Sequence, residues 1–219
     1  MSTVAVDPLL ARDWVPARGG LPKAEQTRRT RALIVETGIA CLASAGYANT
    51  TMLLISQKAG ISRGPLHYHF ADRNALMAAI AEALPLTVDD GVVEQIEAAR
   101  TIKERLALVI DIALDQHRGP HHFAAMELLL AARNDSQLAA AIGPHFNASE
   151  QRFDQWWVDY FGSLGWSDTD LLAFRHVAVA ALRGLAIDHA LQADAEAHDT
   201  ALQMFRQMFM NFAAQKVPG

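Results

Sequence analysis

At 219 residues and 23.9 kDa, with 51% hydrophobic and 20% charged residues, the chain can bury a real core and is no disordered tract. Its single cysteine, Cys41, excludes an internal disulfide framework, and its apolar helical surroundings mark it as an inert thiol in a reducing compartment. The net charge of −5 is uneven: residues 23–82 carry seven basic against four acidic side chains, whereas 83–219 carry ten against eighteen, so a polyanion is the expected partner of the N-terminal region alone.

Residues 1–22 hold three prolines and a Gly-Gly pair and are expected to form a flexible arm. Their acids and the lack of an apolar run argue against a signal peptide. A first helix is expected over Ala24–Ala45, with Ile34, Val35, Ile39 and Leu42 on one face and Arg28, Arg29 and Arg31 near its start. Gly46 ends it. Thr50 and Thr51 offer a cap for the short helix MLLISQKA, which Gly60 closes. Ser62 is placed to cap RGPLHYHF, and Asp72 to cap RNALMAAIAEAL, which Pro85 terminates or kinks.

Longer helices are expected beyond: Asp89–Arg100, Lys103–Arg118, Phe123–Arg133, Gln137–Leu164 with a break near Gly143-Pro144, Ser167–Gln192 behind a capping box, and Asp199–Ala214. The most apolar of them, HVAVAALRGLAIDHAL, is interrupted by Arg183 and Asp188, short of the ~20 apolar residues that a membrane span needs. A cytoplasmic protein without a membrane partner is the expectation. No alternating β-branched run occurs, so the fold class is all-α.

Within the short helices, GISRG (Gly60–Gly64) matches the G-x-S-x-G pattern of serine hydrolases. That elbow needs a strand before the serine and a helix after it. Here the preceding residues are helical and no acid or histidine is organised to serve Ser62, so no catalytic residue is assigned and the chain is read as no enzyme. Two short helices joined by a tight turn at Gly60 make instead a helix-turn-helix, whose second helix enters the DNA major groove. Met52, Ile55, Ala59, Ile61, Leu66 and Phe70 supply its apolar interior, and Pro65 falls in the first turn, where its missing N–H costs little.

The stretch from Gln26 to Ala83 resembles the DNA-binding domain of the TetR family of transcriptional regulators. Gly46-Tyr47, Thr50-Thr51, AGIS at 59–62, Gly64-x-Leu66 and His69-Phe70 carry the likeness in register. The resemblance implies a homodimer on a palindromic double-stranded operator, a repressor in the usual case, released by a small-molecule effector. It implies three segments: an arm at 1–22, the helix-turn-helix domain at 23–86, and an effector-binding and dimerisation domain at 87–219. Position by position, Thr50 and Thr51 fall where the family contacts phosphates, with Ser62 beside a phosphate at the next helix start. Arg63, Gly64 and Pro65 fall where base edges are read, and Arg63 has the planar fork that matches guanine O6 and N7. Pro65 departs from the commoner Thr, Ala or Ser, and His67 from a frequent Tyr whose hydroxyl Tyr68 would replace. Arg73 stands for the usual Lys, a phosphate anchor. His69 is assigned to structure. Leu53 and Leu54 take positions where the family carries polar residues.

The last two helices of the C-terminal domain are apolar on more than one face and must be covered on both. Phe174, Ala178, Leu182 and Leu185 of the first, with Phe205 and Phe209 of the second, are the expected dimer interface, with a monomeric core as the alternative. His117, His121, Phe123, Met126, Glu127, Leu130, Trp156, Trp157 and Tyr160 are read either as the lining of an effector pocket or, for the aromatics, as plain core. Trp156 and Trp157 are adjacent and cannot both face one interior. His117 and His121 have a ligand spacing, but Gly119-Pro120 lie between them and no Cys or carboxylate stands at a matching offset, so neither metal nor cofactor is assigned.

Overall fold

A computed structural model describes residues 22–84, 90–162, 165–191 and 195–216. Among them are ten helices and no strand: α1 (Lys23–Asn49), α2 (Met52–Lys58), α3 (Arg63–His69), α4 (Arg73–Ala83), α5 (Asp90–Ala98), α6 (Ile102–Gln116), α7 (Pro120–Ala132), α8 (Ser136–Phe161), α9 (Asp168–Leu191) and α10 (Ala195–Lys216). The fold is all-α, as expected. The arm at 1–21 and the expected stop at Pro85 lie outside the described residues.

Two compact units emerge. The first holds α1–α4 together with residues 124–142; the second holds the remaining helices. In the first, α1 packs on α2, α3 and α4. Ile34, Val35, Ile39 and Leu42 on one face of α1 are buried, as are Ile55, Leu66, Phe70, Leu76, Met77 and Ile80 of the elements around it. Among the described residues, α1 is the helix long and apolar enough to cross a membrane by length and composition. Its apolar stripe is instead the wall of this small core.

In the second unit α10 packs on α6 and α9, and α5 packs on α6. Trp157, Phe161, Trp166, Leu171 and Phe174 form one buried cluster with Leu106, and Ile110, Leu182 and Phe205 form another. Thr101 and Glu104 cap α6 reciprocally: the Thr101 hydroxyl accepts the Glu104 N–H (3.2 Å) and the Glu104 carboxylate accepts the Thr101 N–H (2.9 Å). Arg206 bridges α10 to α6 through both oxygens of Asp111, at 2.6 and 2.9 Å. The break expected at Gly143-Pro144 does not occur. Helix α8 runs through Pro144, and its start is capped by Asp135, which accepts N–H bonds from Gln137 and Leu138. A proline inside a helix removes one hydrogen bond; here it does not end the helix, and the Gly before it adds no side chain to the crowding.

Candidate functional site

The link between α2 and α3 is set by backbone chemistry. Ala59 closes α2, and Gly60 takes φ +66°, the left-handed region that favours glycine. The Ile61 N–H then donates to Ser56 O (3.0 Å) and the Gly60 N–H to Gln57 O (3.3 Å). These are the two bonds of a Schellman ending. Thr51 caps α2, its hydroxyl accepting the Leu54 N–H at 3.1 Å. GISRG therefore stands in a helix-to-helix turn with no strand before it, which lacks the geometry of a nucleophile elbow.

Beyond the turn, α3 anchors itself through buried Leu66, with Phe70 buried just past its end, and leaves Arg63, Gly64, Pro65, His67 and Tyr68 in solvent, Tyr68 at 77% exposure. Ser62 holds the cap position, but its side chain makes no capping bond. The expectation that its hydroxyl caps α3 is therefore corrected. His69 is half-buried, and burial followed by nearby Arg31 keeps its imidazole below the usual range. Leu53 is 44% exposed, and nothing in the structure explains it.

Two residues expected on phosphates are otherwise engaged. Thr50 is fully buried and donates its hydroxyl to Gly46 O at 2.8 Å, so it locks the α1–α2 turn from inside. Arg73 donates through Nε to Thr50 O (3.1 Å) and through Nη2 to Tyr47 O, and its guanidinium lies 3.9 Å from the centre of the Tyr47 ring. Arg73 is a strut between α4 and that turn, and the expectation that the Thr50 hydroxyl meets a phosphate is corrected. Sequence reasoning places these residues by family register, which cannot distinguish a cation facing DNA from one facing a backbone carbonyl.

The expected effector lining divides between the two units. Met126, Glu127 and Leu130 belong to the first; Leu130 is exposed, and the Glu127 carboxylate accepts the Tyr47 N–H at 2.7 Å, so it is spent on the fold. In the second unit Trp157 is buried, while Trp156 stacks on Phe153 and Tyr160 at the edge of the same aromatic cluster (ring centres 5.7 and 5.2 Å). Adjacent tryptophans thus serve one cluster from its inside and its rim. The indole nitrogen of Trp157 is buried without a hydrogen-bond partner among the described residues, and Arg105 lies over the Tyr160 ring, 6.0 Å from its centre.

His117 and His122 pack ring to ring at 4.4 Å, and Phe123 lies beside His122. His117 Nδ1 lies 2.6 Å from Ala113 O, which requires the Nδ1–H tautomer, and His122 Nε2 is buried with no partner among the described residues. Burial first, then the neighbouring His117 and Arg183, depress His122 to about 4. Burial likewise lowers His117. His121 is half-buried beside them in sequence. A cavity of about 630 Å³ between α6 and α10 is lined by Thr101, Glu104, Ala107, Arg206, Met210 and others, and includes none of the expected lining.

The structure also assembles a group the sequence does not suggest. Glu150, Asp154 and His176 bring ligand atoms within 4.8 Å of one another. Buried Arg175 binds both carboxylates and Arg183 reaches Glu150 at 3.3 Å, so the acids are neutralised by guanidinium groups and the constellation is an ion network. Its members lie on different turns of α8 and α9, a spacing visible only once the two helices are paired.

Three of the six residues expected at a dimer interface are taken up by the protomer's own core. Phe174, Leu182 and Phe205 are buried inside the protomer, and Ala178, Leu185 and Phe209 pack against the same clusters. The apolar side chains left outside are Val177 (61% exposed), Ile187 and Leu191 (80%) on α9, and Met204, Met208 (63%) and Phe212 on α10. Exposed Ala180 and Gly184 complete the α9 stripe.

Comparison with known proteins bears on the first unit most directly. Residues 34–80 match the family described as "Bacterial regulatory proteins, tetR family". The chain is 28% identical over 120 residues to an uncharacterized HTH-type transcriptional regulator of Mycobacterium tuberculosis; the match takes in 54% of this chain and 62% of that protein. It is 21% identical over 194 residues to the HTH-type transcriptional regulator CymR of Pseudomonas putida, across 87% of this chain and 96% of that one. Among solved structures, a TetR transcription regulator from Haloarcula marismortui superposes with a TM-score of 0.61 at 19% identity, over 87% of this chain and all of that one. A putative transcriptional regulator from Pseudomonas aeruginosa gives 0.61 at 19%, over 85% and 91%.

Proposed function

We propose that this chain, whose N-terminal domain belongs to the TetR family of bacterial regulatory proteins, is a sequence-specific transcriptional regulator that binds a palindromic DNA operator as a homodimer. The observation that carries the proposal is the α2–α3 unit inside the matched segment, with Leu66 buried and Arg63, Gly64, Pro65, His67 and Tyr68 in solvent on one short helix. Arg63 reads a guanine through its fork, and Pro65 presents an apolar surface suited to a thymine methyl. The exposed Thr51 and Ser62 hydroxyls, at two helix starts, are suited to phosphates.

The partner is a second copy of the chain. The stripe Val177–Ala180–Gly184–Ile187–Leu191 follows helical spacing, its small residues allow close approach, and Met204, Met208 and Phe212 extend it on α10. A face of this kind on each protomer makes a two-fold four-helix contact. A small molecule held among the helices of the second unit changes the separation of the two α3 helices. Half-sites one turn apart require about 34–36 Å, so a change of a few ångströms ends the fit and releases a repressor from its operator. The setting is the cytoplasm.

Selection of duplexes from a random pool, followed by anisotropy titrations across a salt series, tests the reading. The expected result is one enriched palindrome and a linear fall of log K with log salt. A chain that enriches no sequence and shows no salt slope would instead be a helical ligand carrier.

A further inference from the structure

Glu127 lies in α7, 80 residues from the backbone group it binds. The turn it serves is the kink at Gly46, where α1 breaks and its last residues, Tyr47–Asn49, lead into α2. Gly46 there has φ +76° and ψ 168°, and a Cβ added at Gly46 would lie 3.2 Å from Glu127 Oε2. The glycine therefore answers two demands, a left-handed backbone and the close approach of a carboxylate. Tyr47 is gripped from two helices: its N–H by Glu127 of α7, its C=O and ring by Arg73 of α4. Thr50 closes the turn onto Gly46 O, and the next residue, Thr51, caps α2. The start of α2, the first helix of the reading unit, is thus fixed by a hydrogen bond from a helix that the helix-turn-helix motif does not include. Moreover, α7 starts at Pro120 in the second unit and belongs to the first from Ala124 onward.

We propose that Glu127 is a positioning residue for DNA reading, anchoring the α1–α2 turn, and through it α2, to α7. A bond of 2.7 Å leaves the hydrogen-bonding range after a displacement of about 0.5 Å, so movement of α7 is felt at the turn that carries α2. The inference rests on the proposal that the chain reads DNA, and its test separates the two.

Full-length protein and a duplex enriched by the wild type from a random pool are titrated by anisotropy at fixed salt. Glu127→Ala loses about tenfold in affinity for that duplex. Glu127→Gln, which keeps an acceptor oxygen, recovers most of the loss, and random-sequence duplexes bind all three proteins alike. An Ala variant with wild-type affinity overturns the inference, as does a Gln variant no better than Ala. If Glu127→Ala fails to fold, amide exchange on the wild type decides: the Tyr47 amide is protected in the free protein and more so on the enriched duplex. Exchange at an open-chain rate overturns the anchor. Failure of the wild type to prefer any duplex overturns the DNA-reading proposal and this inference together, whereas the outcomes above strike the inference alone.

Discussion

Gly64→Ala separates what α3 needs to fold from what it needs to bind. Gly64 is the second residue of α3, it is exposed, and a Cβ built on it meets no atom within 4 Å. Its backbone is not among the positive-φ glycines. Neither conformation nor packing therefore calls for glycine, and in an exposed helix glycine costs about 0.5–1 kcal/mol relative to alanine. With the site in the first turn, the gain on substitution is taken at the lower end, about 0.5 kcal/mol, or roughly 1–2 °C in melting temperature for a chain of this size. If the helix backbone lies against base edges, as the proposed function requires, the added methyl group occupies that space and costs about 1–3 kcal/mol of specific affinity. Thermal unfolding and anisotropy on the enriched duplex should therefore move in opposite directions: a slightly higher melting temperature, and affinity lower by about 5- to 150-fold. Equal or tighter DNA binding would refute the placement of Gly64 against DNA, and a lower melting temperature would refute the open space around it. Gly60→Ala is the contrast. Its surroundings are equally open, but its φ of +66° makes alanine cost about 1–2 kcal/mol of stability.

The other expectations divide by mechanism. Arg63→Ala should lose about 1–3 kcal/mol on the enriched duplex and relax selection at one base position, seen by repeating the selection with the variant. Arg73→Ala should instead lower the melting temperature, because it strips two backbone carbonyls and a tyrosine ring of their partner; a change in salt slope without a stability loss would restore it as a phosphate anchor. Gly184→Glu, on an exposed position of α9, should give a light-scattering mass near 23.9 kDa where the wild type gives twice that; a dimer retained would place the interface elsewhere. His122 titrates near 4 in the folded chain and near 6.5 when unfolded, so between those values the unfolded state binds the extra proton. Stability is therefore complete above pH 6.5 and falls as the pH drops toward 4, and His122→Gln should flatten that stretch of a melting-temperature profile.

What can be read without the structure follows the range of the physics involved. Local signals are legible: Gly46 and Gly60 as breaks, Asp72 as a cap (its carboxylate accepts the Ala75 N–H at 2.8 Å), Ser167 as another, and the apolar stripe of α1. One local signal is easily passed over, since Thr101-x-x-Glu104 is a capping box in plain sequence and starts α6 at Ile102. The proline after Gly143 misleads in the other direction, because neighbours along a helix of 26 residues absorb one missing bond. Nonlocal partners are not legible. Arg73 and Glu127 carry the charges expected of a phosphate anchor and a ligand contact, yet each is bound to the backbone at Tyr47, and charge type alone does not reveal which partner it meets.

The face proposed for dimerisation is hidden from the sequence for a related reason. A helix apolar nearly all round announces that two sides must be covered, but periodicity assigns neither side to its neighbour. On α9 the larger residues, Phe174 and Leu182, pack into the protomer, and the side interspersed with Ala180 and Gly184 stays outside. That division has a physical logic. Bulky side chains fill the irregular space between α6, α9 and α10, where ring contacts such as Phe174 to Phe209 at 4.9 Å hold them. Two copies of α9 meeting across the proposed symmetry axis would bring their backbones close together, which the small residues Ala180 and Gly184 allow.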